Sequence, residues 1–258
     1  MLLHGKIALV TGASRGIGQS IAERFSEEGA RVAMCARSDK ELDAVAREID
    51  PSLERVIWFR ADARKSGEIE RAVHETAKRW GKITILVNNA GASGLTPLDG
   101  GSEEDWERIL DVNLTGTWRF SRAALPHMKK GEHGRIINIS SVLGKFGVPG
   151  YGAYCASKAG VLGLTRALAM ELAERGITVN AICPGWVETE MAREGIARQA
   201  KALGVTAEEF RKRAMERVPL GRMLEPREVA EMAVYLACDA ADGVTGQALS
   251  ICGGVTHS

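Results

Sequence analysis

Tyr154 and Lys158 stand four residues apart, and Ser141 stands thirteen residues before the tyrosine, in the stretches Ile-Asn-Ile-Ser-Ser-Val and Tyr-Cys-Ala-Ser-Lys. Four residues is slightly more than one helical turn, so a helix presents the phenol and the ammonium on one face. A free tyrosine titrates near pH ~10, too high for proton exchange at neutrality. A neighbouring lysine cation stabilises the phenolate and lowers that pKa toward the working range. A serine hydroxyl can hold a carbonyl oxygen beside the phenol. The trio suits proton transfer to or from an alcohol oxygen. It cannot move a hydride, so redox chemistry here requires a cofactor.

The start of the chain offers a site for one. Lys6-Ile-Ala-Leu-Val-Thr11 is a short apolar run. Gly12-Ala-Ser-Arg-Gly16-Ile-Gly18 follows, and then Ile21, Ala22 and Phe25 begin a helical pattern. Strand, glycine turn and helix form the setting of a dinucleotide site. The glycines permit a tight turn and close approach of a pyrophosphate to the helix N-terminus, where free N–H groups favour anions. The spacing is G-x-x-x-G-x-G rather than the commoner G-x-G-x-x-G.

The elements that must position these residues alternate along the chain. Apolar runs at 6–11, 31–36, 55–60, 83–88, 135–139, 178–183 and 247–252 read as strands. Most are continuously apolar, as in a parallel sheet buried on both faces. Helical patterns lie between them. Ser102 opens one as N-cap with acids in its first turn, and Glu225-Pro226 opens another. The reading is an α/β fold in one domain, 1–258. It is a Rossmann-type doubly wound parallel sheet of about seven strands, with helices on both faces and ligands at the carboxyl ends of the strands. The alternation breaks at 186–218. There the pattern predicts two short amphipathic helices, 189–203 and 206–217, the second opened by a capping box at Thr206-Ala-Glu-Glu. This segment is expected to be a helical substrate lid, with Trp186 nearest the reaction and Met191, Leu203 and Phe210 as further wall residues.

The 258 residues carry a formal net charge of +1, which gives no basic stripe for nucleic acid. No apolar run reaches the ~18 residues that span a membrane. The N-terminus runs into the first strand without room for a signal peptide. Cys35, Cys155, Cys183, Cys238 and Cys252 are scattered and read as reduced packing residues of a cytoplasmic protein. The five histidines lack ligand spacing, so no metal is expected.

The end of the second strand bears on the choice of cofactor. NAD-selective sites place an acid there to bind the ribose hydroxyls. Here the position is Ala36, followed by Arg37, while Arg15 lies in the glycine loop and Asp39 is expected to cap the next helix. Two arginines and no acid favour a 2′-phosphate, and hence NADPH/NADP.

Thr11-Gly-Ala-Ser-Arg-Gly-Ile-Gly18, Asn88-Asn-Ala-Gly91, Asn113 in Asp-Val-Asn-Leu, Ser141 with Tyr154 and Lys158, and Pro184-Gly185 with Val187 and Thr189 occur in order along the chain. In these motifs the chain resembles the short-chain dehydrogenase/reductase family over nearly its whole length. The resemblance implies a catalytic tetrad of Asn113, Ser141, Tyr154 and Lys158. It makes Ser141 rather than Ser140 the catalytic serine, and has Asn113 anchor a water that links Lys158 to solvent. It implies cofactor contacts from Gly12, Ser14, Arg15, Gly16, Ile17, Gly18, Arg37, Asp62, Ala63, Asn89, Ala90, Gly91, Tyr154, Lys158, Pro184, Gly185, Val187 and Thr189, with Asp62 at the adenine amino group.

Within the family the C-terminal half looks closest to 3-oxoacyl carrier-protein reductases and aromatic polyketide ketoreductases. A ketone or acyl thioester is the expected substrate, free or bound to an acyl carrier protein. Cys252 departs from the aspartate that most relatives carry there. Glu132 replaces a base that commonly meets the acidic carrier, although Lys129, Lys130, Arg135 and Arg175 lie near it. Free ketones, hydroxysteroids and acyl-CoA thioesters therefore stand as alternative substrates. A dinucleotide-sensing protein without turnover is the alternative from another class, and retention of both Tyr154 and Lys158 argues against it. The resemblance also implies a homotetramer built through helices around 102–130 and 154–175.

Overall fold

The seven apolar runs pair into one parallel sheet in a computed structural model that describes residues 1–129, 131 and 133–256. The strands are β1 (Ile7–Thr11), β2 (Arg31–Ala36), β3 (Val56–Arg60), β4 (Ile85–Asn88), β5 (Gly134–Ile139), β6 (Ile177–Pro184) and β7 (Ala248–Ile251). Their order is β3-β2-β1-β4-β5-β6-β7. The chain reverses its direction of travel between β1 and β4, and the carboxyl ends of strands flanking such a switch are where ligands bind in this architecture. Each expected strand lies within two residues of its observed bounds. The expected run at 83–88 loses its first two members: the Ile83 amide donates to the His127 carbonyl outside the sheet, and the Ile7 amide donates to the Thr84 hydroxyl.

Alternate residues of β1 feed two cores. Ala8 and Val10 pack with α1 (Gly16–Glu27), α2 (Asp39–Ile49) and α9 (Pro226–Ala237), through Ile21, Phe25, Leu42 and Val229. Leu9 faces α3 (Ser66–Trp80), α5 (Gly116–Ala124) and α6 (Gly152–Leu172), through Ile69, Val73, Phe120 and Leu172. Burying each such large side chain contributes about 1.5–3 kcal/mol, which fixes both helical layers on the sheet. Between α4 (Glu103–Leu110) and α5 the helix widens into a π turn at Asp111–Thr115, with Asn113 at its centre. Ser102 caps α4 as expected, its side chain accepting from the Asp105 amide.

The lid helices form nearly where the amphipathic pattern predicted. α7 is Glu190–Leu203 with Thr189 as N-cap, and α8 is Ala207–Met215 behind the Thr206–Glu209 capping box. The segment is rooted at both ends. Val187 bridges Leu224, and Val218 is buried beside Gly253.

Two expectations about charged residues are corrected. Asp39 is not a cap: Ser38 holds that position and accepts from the Glu41 amide, leaving Asp39 as the first helical residue. Arg135 does not face a carrier. It is 1% exposed, pairs with Asp242 and donates to the Gly134 carbonyl. Arg175 likewise donates to the carbonyls of Leu125 and Met128, satisfying the end of a helical segment. Lys130 and Glu132 lie outside the described residues.

Candidate active site

The glycine loop folds tightly because backbone crosses backbone there. Gly12 has φ +64°, and a Cβ on it would stand 2.8 Å from Ala90 Cα and 2.9 Å from Asn89 Nδ2. A Cβ on Gly18 would collide with the Gly12 carbonyl oxygen and Asn89 Nδ2. Asn89 ties the loop together, its side-chain amide donating to the carbonyls of Thr11 (2.9 Å) and Gly12 (3.0 Å). Thr11 Oγ1 accepts from the amides of both Asn89 and Ala90, at 3.0 Å each. Asn88 turns into the sheet and donates to Ser121 and Asn138. Ile17 packs against the core, and Gly16 (φ +59°) lies beside Thr189 Cγ2. Val187 is buried, and Gly185 passes so close to Cys252 that a Cβ there would be 2.9 Å from its Cα. Pro184 ends β6 directly before it. The Cys252 thiol accepts from the Thr256 amide at 3.4 Å.

The charged side chains of the cofactor loops have protein partners. Arg15 pairs with Glu190 at 2.5 Å, and Ser14 Oγ donates to Glu41 at 3.0 Å. Both members of the arginine pair are about half exposed, so the contact exchanges readily for a phosphate. Arg37 is exposed at the end of β2. Asp62 and Ala63 are buried at the end of β3, but Arg64 holds both oxygens of the Asp62 carboxylate, and this bond keeps the carboxyl below its usual pKa.

Ser141, Tyr154 and Lys158 come together at the carboxyl end of β5. Ser140 and Ser141 separate their roles by facing opposite ways. Ser140 Oγ donates to the Lys158 carbonyl at 2.9 Å and so pins α6 to β5. The Ser141 hydroxyl bonds to the Tyr154 phenol and accepts from the Leu143 amide at 3.1 Å. Lys158 is 4% exposed, and its Nζ donates to the Ile139 carbonyl at 2.8 Å and lies 5.7 Å from the Tyr154 ring centre. Its Nζ also lies close to Gly91, where a Cβ would come within 3.8 Å. Asn113 is 1% exposed. Its side chain accepts from the Ala92 amide (2.7 Å), and donates to the Ala92 carbonyl (2.9 Å) and to Ser157 Oγ (2.9 Å). The π turn that carries it is the distortion commonly found at functional positions.

The tyrosine does not have the lowered pKa that the four-residue spacing alone implies. Burial pushes the phenol up to about 12 against the lowering effect of the Ser141 bond, and burial pushes Lys158 down to about 8. The ammonium is directed at a carbonyl rather than at the phenolate oxygen, so desolvation outweighs its field.

The lid brings Trp186 against Phe210, their ring centres 6.5 Å apart in an edge-on arrangement. Met191 and Leu203, the other expected wall residues, are 40% and 60% exposed. On the same helix Gly195, Ile196 and Ala200 are buried. A charged cleft of about 1130 Å³ runs outside α1, between Arg15, Glu23, Glu188, Arg222 and Glu231. It includes none of the tetrad, but Arg15, Gly16 and Thr189 of the expected cofactor contacts line one side of it.

No cluster of metal-ligating side chains and no helix long and apolar enough to cross a membrane occurs among the described residues.

A parallel sheet with a glycine loop at its switch point and a Ser-Tyr-Lys group beside it defines a dinucleotide-dependent oxidoreductase. A sequence model described as Enoyl-(Acyl carrier protein) reductase matches residues 12–256, and the chain belongs to the short-chain dehydrogenase/reductase family. It is similar to a putative ketoacyl reductase of Streptomyces coelicolor, 43% identical over 252 residues that cover 97% of each chain. It is 38% identical to the 3-oxoacyl-[acyl-carrier-protein] reductase FabG of Thermotoga maritima, over 99% of each. A crystal structure of an actinorhodin polyketide ketoreductase variant with NADPH superposes with a TM-score of 0.94, at 43% identity and 98% coverage of both chains.

Proposed function

We propose that the protein is an NADPH-dependent ketoreductase acting on a 3-ketoacyl thioester or polyketide-type ketone. The observation that carries this reading is the junction of Ser141, Tyr154 and Lys158 with the glycine loop at one end of one sheet. The residues fit the cofactor: glycines at 12 and 18 let the loop close so tightly against Asn89 and Ala90 that no Cβ fits, which suits close approach of a pyrophosphate to the start of α1, and Arg37 stands exposed at the end of β2, where a 2′-phosphate would be bound. When bound, the dinucleotide supplies the hydride. The chain supplies everything else. Ser141 donates a hydrogen bond to the substrate oxygen, stabilising its developing charge. Tyr154 donates its proton to that oxygen. Lys158 stabilises the phenolate left behind and holds ribose hydroxyls, and Asn113 fixes the loop that borders them. Similarity to NADPH-using and ketoacyl-reducing proteins supports both cofactor and substrate class.

Arg37→Ala is expected to weaken NADPH binding by about 1–3 kcal/mol, near the lower end because the site is solvated. NADH binding should hardly change. Fluorescence titration with both cofactors checks this, and equal effects on the two would remove Arg37 from the phosphate site.

The pH dependence follows from the two shifted groups. Tyr154, at about 12, stays protonated over the working range, while Lys158 loses its charge above about 8. Ketone reduction needs the protonated phenol beside a cationic lysine, so kcat should be flat below that value and fall above it. Alcohol oxidation needs the phenolate and should instead speed up with pH. Stability moves the other way from reduction. Unfolded Lys158 keeps its ordinary value of 10.5, so between about 8 and 10.5 the unfolded chain binds more protons, and the burial penalty is relieved as pH rises. A reductive profile that stays flat far above the lysine value would contradict the assignment.

The inward turn of Arg135 and Arg175 removes two of the bases available to a carrier protein, which favours substrates that diffuse in without one. The segment 186–218 is proposed as the lid that selects them. A panel of acetoacetyl thioesters, bicyclic ketones and simple diketones tests both points, run with the parent and with Trp186→Ala. The variant should lose bulky ketones more than small ones, and an equal loss across sizes would make the segment mere surface structure.

We also propose a homotetramer in the cytoplasm. Trp118 and Met170 are 42% and 82% exposed on α5 and α6, and an apolar hollow of about 290 Å³ lies between Leu114, Trp118 and Leu164. Such a surface calls for a symmetric partner, and a monomer by light scattering would refute it. All five cysteines are free, which accords with a reducing compartment.

A further inference from the structure

The backbone on either side of Tyr154 is held by side-chain hydrogen bonds, one from outside its helix and one from Ser157 within it. α6 has no capping side chain of its own: Tyr151, at the N-cap position, makes no side-chain cap hydrogen bond. The first-turn amides of a helix have no partner within it. Ala153 is fully buried, so water does not serve its amide. Thr96 does, its Oγ1 accepting from the Ala153 N–H at 3.0 Å. The Thr96 amide also donates to the Gly150 carbonyl at 2.7 Å, tying down the chain just before the helix. Thr96 is itself buried, and its carbonyl oxygen lies 3.5 Å from where a Cβ on Gly152 would be. On the far side, the Tyr154 carbonyl accepts from Ser157 Oγ at 2.8 Å, and Ser157 accepts from Asn113. Asn113 in turn holds Ala92. The loop 92–96 is thus tied to α6 directly through Thr96 and indirectly through Asn113 and Ser157, and Tyr154 lies between the two ties.

We infer that Thr96 is a positioning residue for Tyr154. Acting as a remote N-cap, its hydroxyl fixes where the first turn of α6 sits and so where the phenol meets Ser141. The inference rests on Tyr154 being the proton donor. Tyr154 is the third residue of α6, within the turn that loosens when its cap is lost. A displacement on the order of 1 Å at a reacting group can cost ~10²-fold in rate.

The test compares Thr96→Val, which keeps the shape and removes the acceptor, with Thr96→Ser, which keeps the hydroxyl. Tyr154→Phe is run beside them on one activated ketone. The valine variant should lose at least about tenfold in kcat and keep its NADPH affinity within about twofold, and the serine variant should recover most of kcat. Two readouts separate positioning from a general loss of structure. The solvent deuterium isotope effect on kcat should rise in the valine variant, because proton transfer becomes slower. Amide hydrogen exchange over 152–158 should quicken in the valine variant alone. If valine prevents folding, Thr96→Ala replaces it. A valine variant with parental kcat, a serine variant as impaired as valine, or an unchanged isotope effect would each overturn the inference. Parental activity in Tyr154→Phe would overturn the underlying reading instead, and an inactive Tyr154→Phe beside a normal Thr96→Val would overturn only the role of Thr96.

Discussion

Tyr154→Phe is expected to lower kcat for ketone reduction by at least ~10²-fold, the scale of a lost general acid. The substitution keeps the ring and removes only the hydroxyl. The edge-on contact with Tyr151 and the position above Lys158 survive it. NADPH affinity should therefore change little. The reductive pH profile should also lose its fall above the Lys158 value, because no phenolate remains for that cation to stabilise. Stopped-flow rates with saturating NADPH, together with the fluorescence of bound cofactor, separate the two effects. Activity within a few-fold of the parent would remove Tyr154 from the chemistry and leave Ser141 without a proton source to work beside.

Gly18→Ala is expected to abolish productive cofactor binding. The added methyl would meet the Gly12 carbonyl and the Asn89 amide, the two groups that close the loop, and neither is the free end of a flexible side chain. Relief requires the loop to open, at a cost of about 3 kcal/mol, the upper part of the range for overpacked sites. The opened loop also loses the two hydrogen bonds from Asn89. NADPH affinity should fall by at least about a hundredfold, since each 1.4 kcal/mol is tenfold and the cradle is lost as well. Calorimetric titration checks it. By contrast, Gly163→Ala on α6 has open space at its Cβ and serves as the control that should bind normally. Normal NADPH affinity in Gly18→Ala would place the dinucleotide elsewhere.

The strands were legible because parallel strands buried on both faces need continuous apolar runs, and Val-Ala-Met-Cys-Ala or Ile-Thr-Val-Asn-Ala-Ile-Cys has no competing period. The lid helices were legible from amphipathic spacing and, for the second, from the Thr206–Glu209 box, which is a local device; that Thr189 caps the first helix came only with the structure. What resisted reading depends on groups far apart in the chain. Arg135 turns inward because Asp242 and the Cys238 carbonyl meet it from over a hundred residues away. Whether Lys158 faces the phenol or a carbonyl was fixed by where Ile139 ends its strand. Nothing local marks Thr96 as the cap of a helix that begins 56 residues later, since Ala153 is 57 residues from it and its own N-cap is a tyrosine. The exposure of Met191 and Leu203 was not legible from amphipathic spacing, because it depends on what distant parts of the chain pack against each face of the helix. The choice between Ser38 and Asp39 as cap failed for a related reason: both are good caps, and only the backbone decides which one has the extended conformation.

In the proposed reaction Ser141, Tyr154 and Lys158 reduce a carbonyl with hydride from NADPH held over the Gly12–Gly18 loop. It is tested most directly by following the near-ultraviolet absorbance of NADPH while the purified protein meets an activated ketone, with NADH in a parallel trace. Ketone-dependent oxidation is expected, faster with NADPH than with NADH at equal concentration, with formation of the matching alcohol in equal amount. NADPH binding without any ketone-dependent oxidation across thioesters, bicyclic ketones and diketones would contradict it and make the protein a binder of the dinucleotide rather than a reductase.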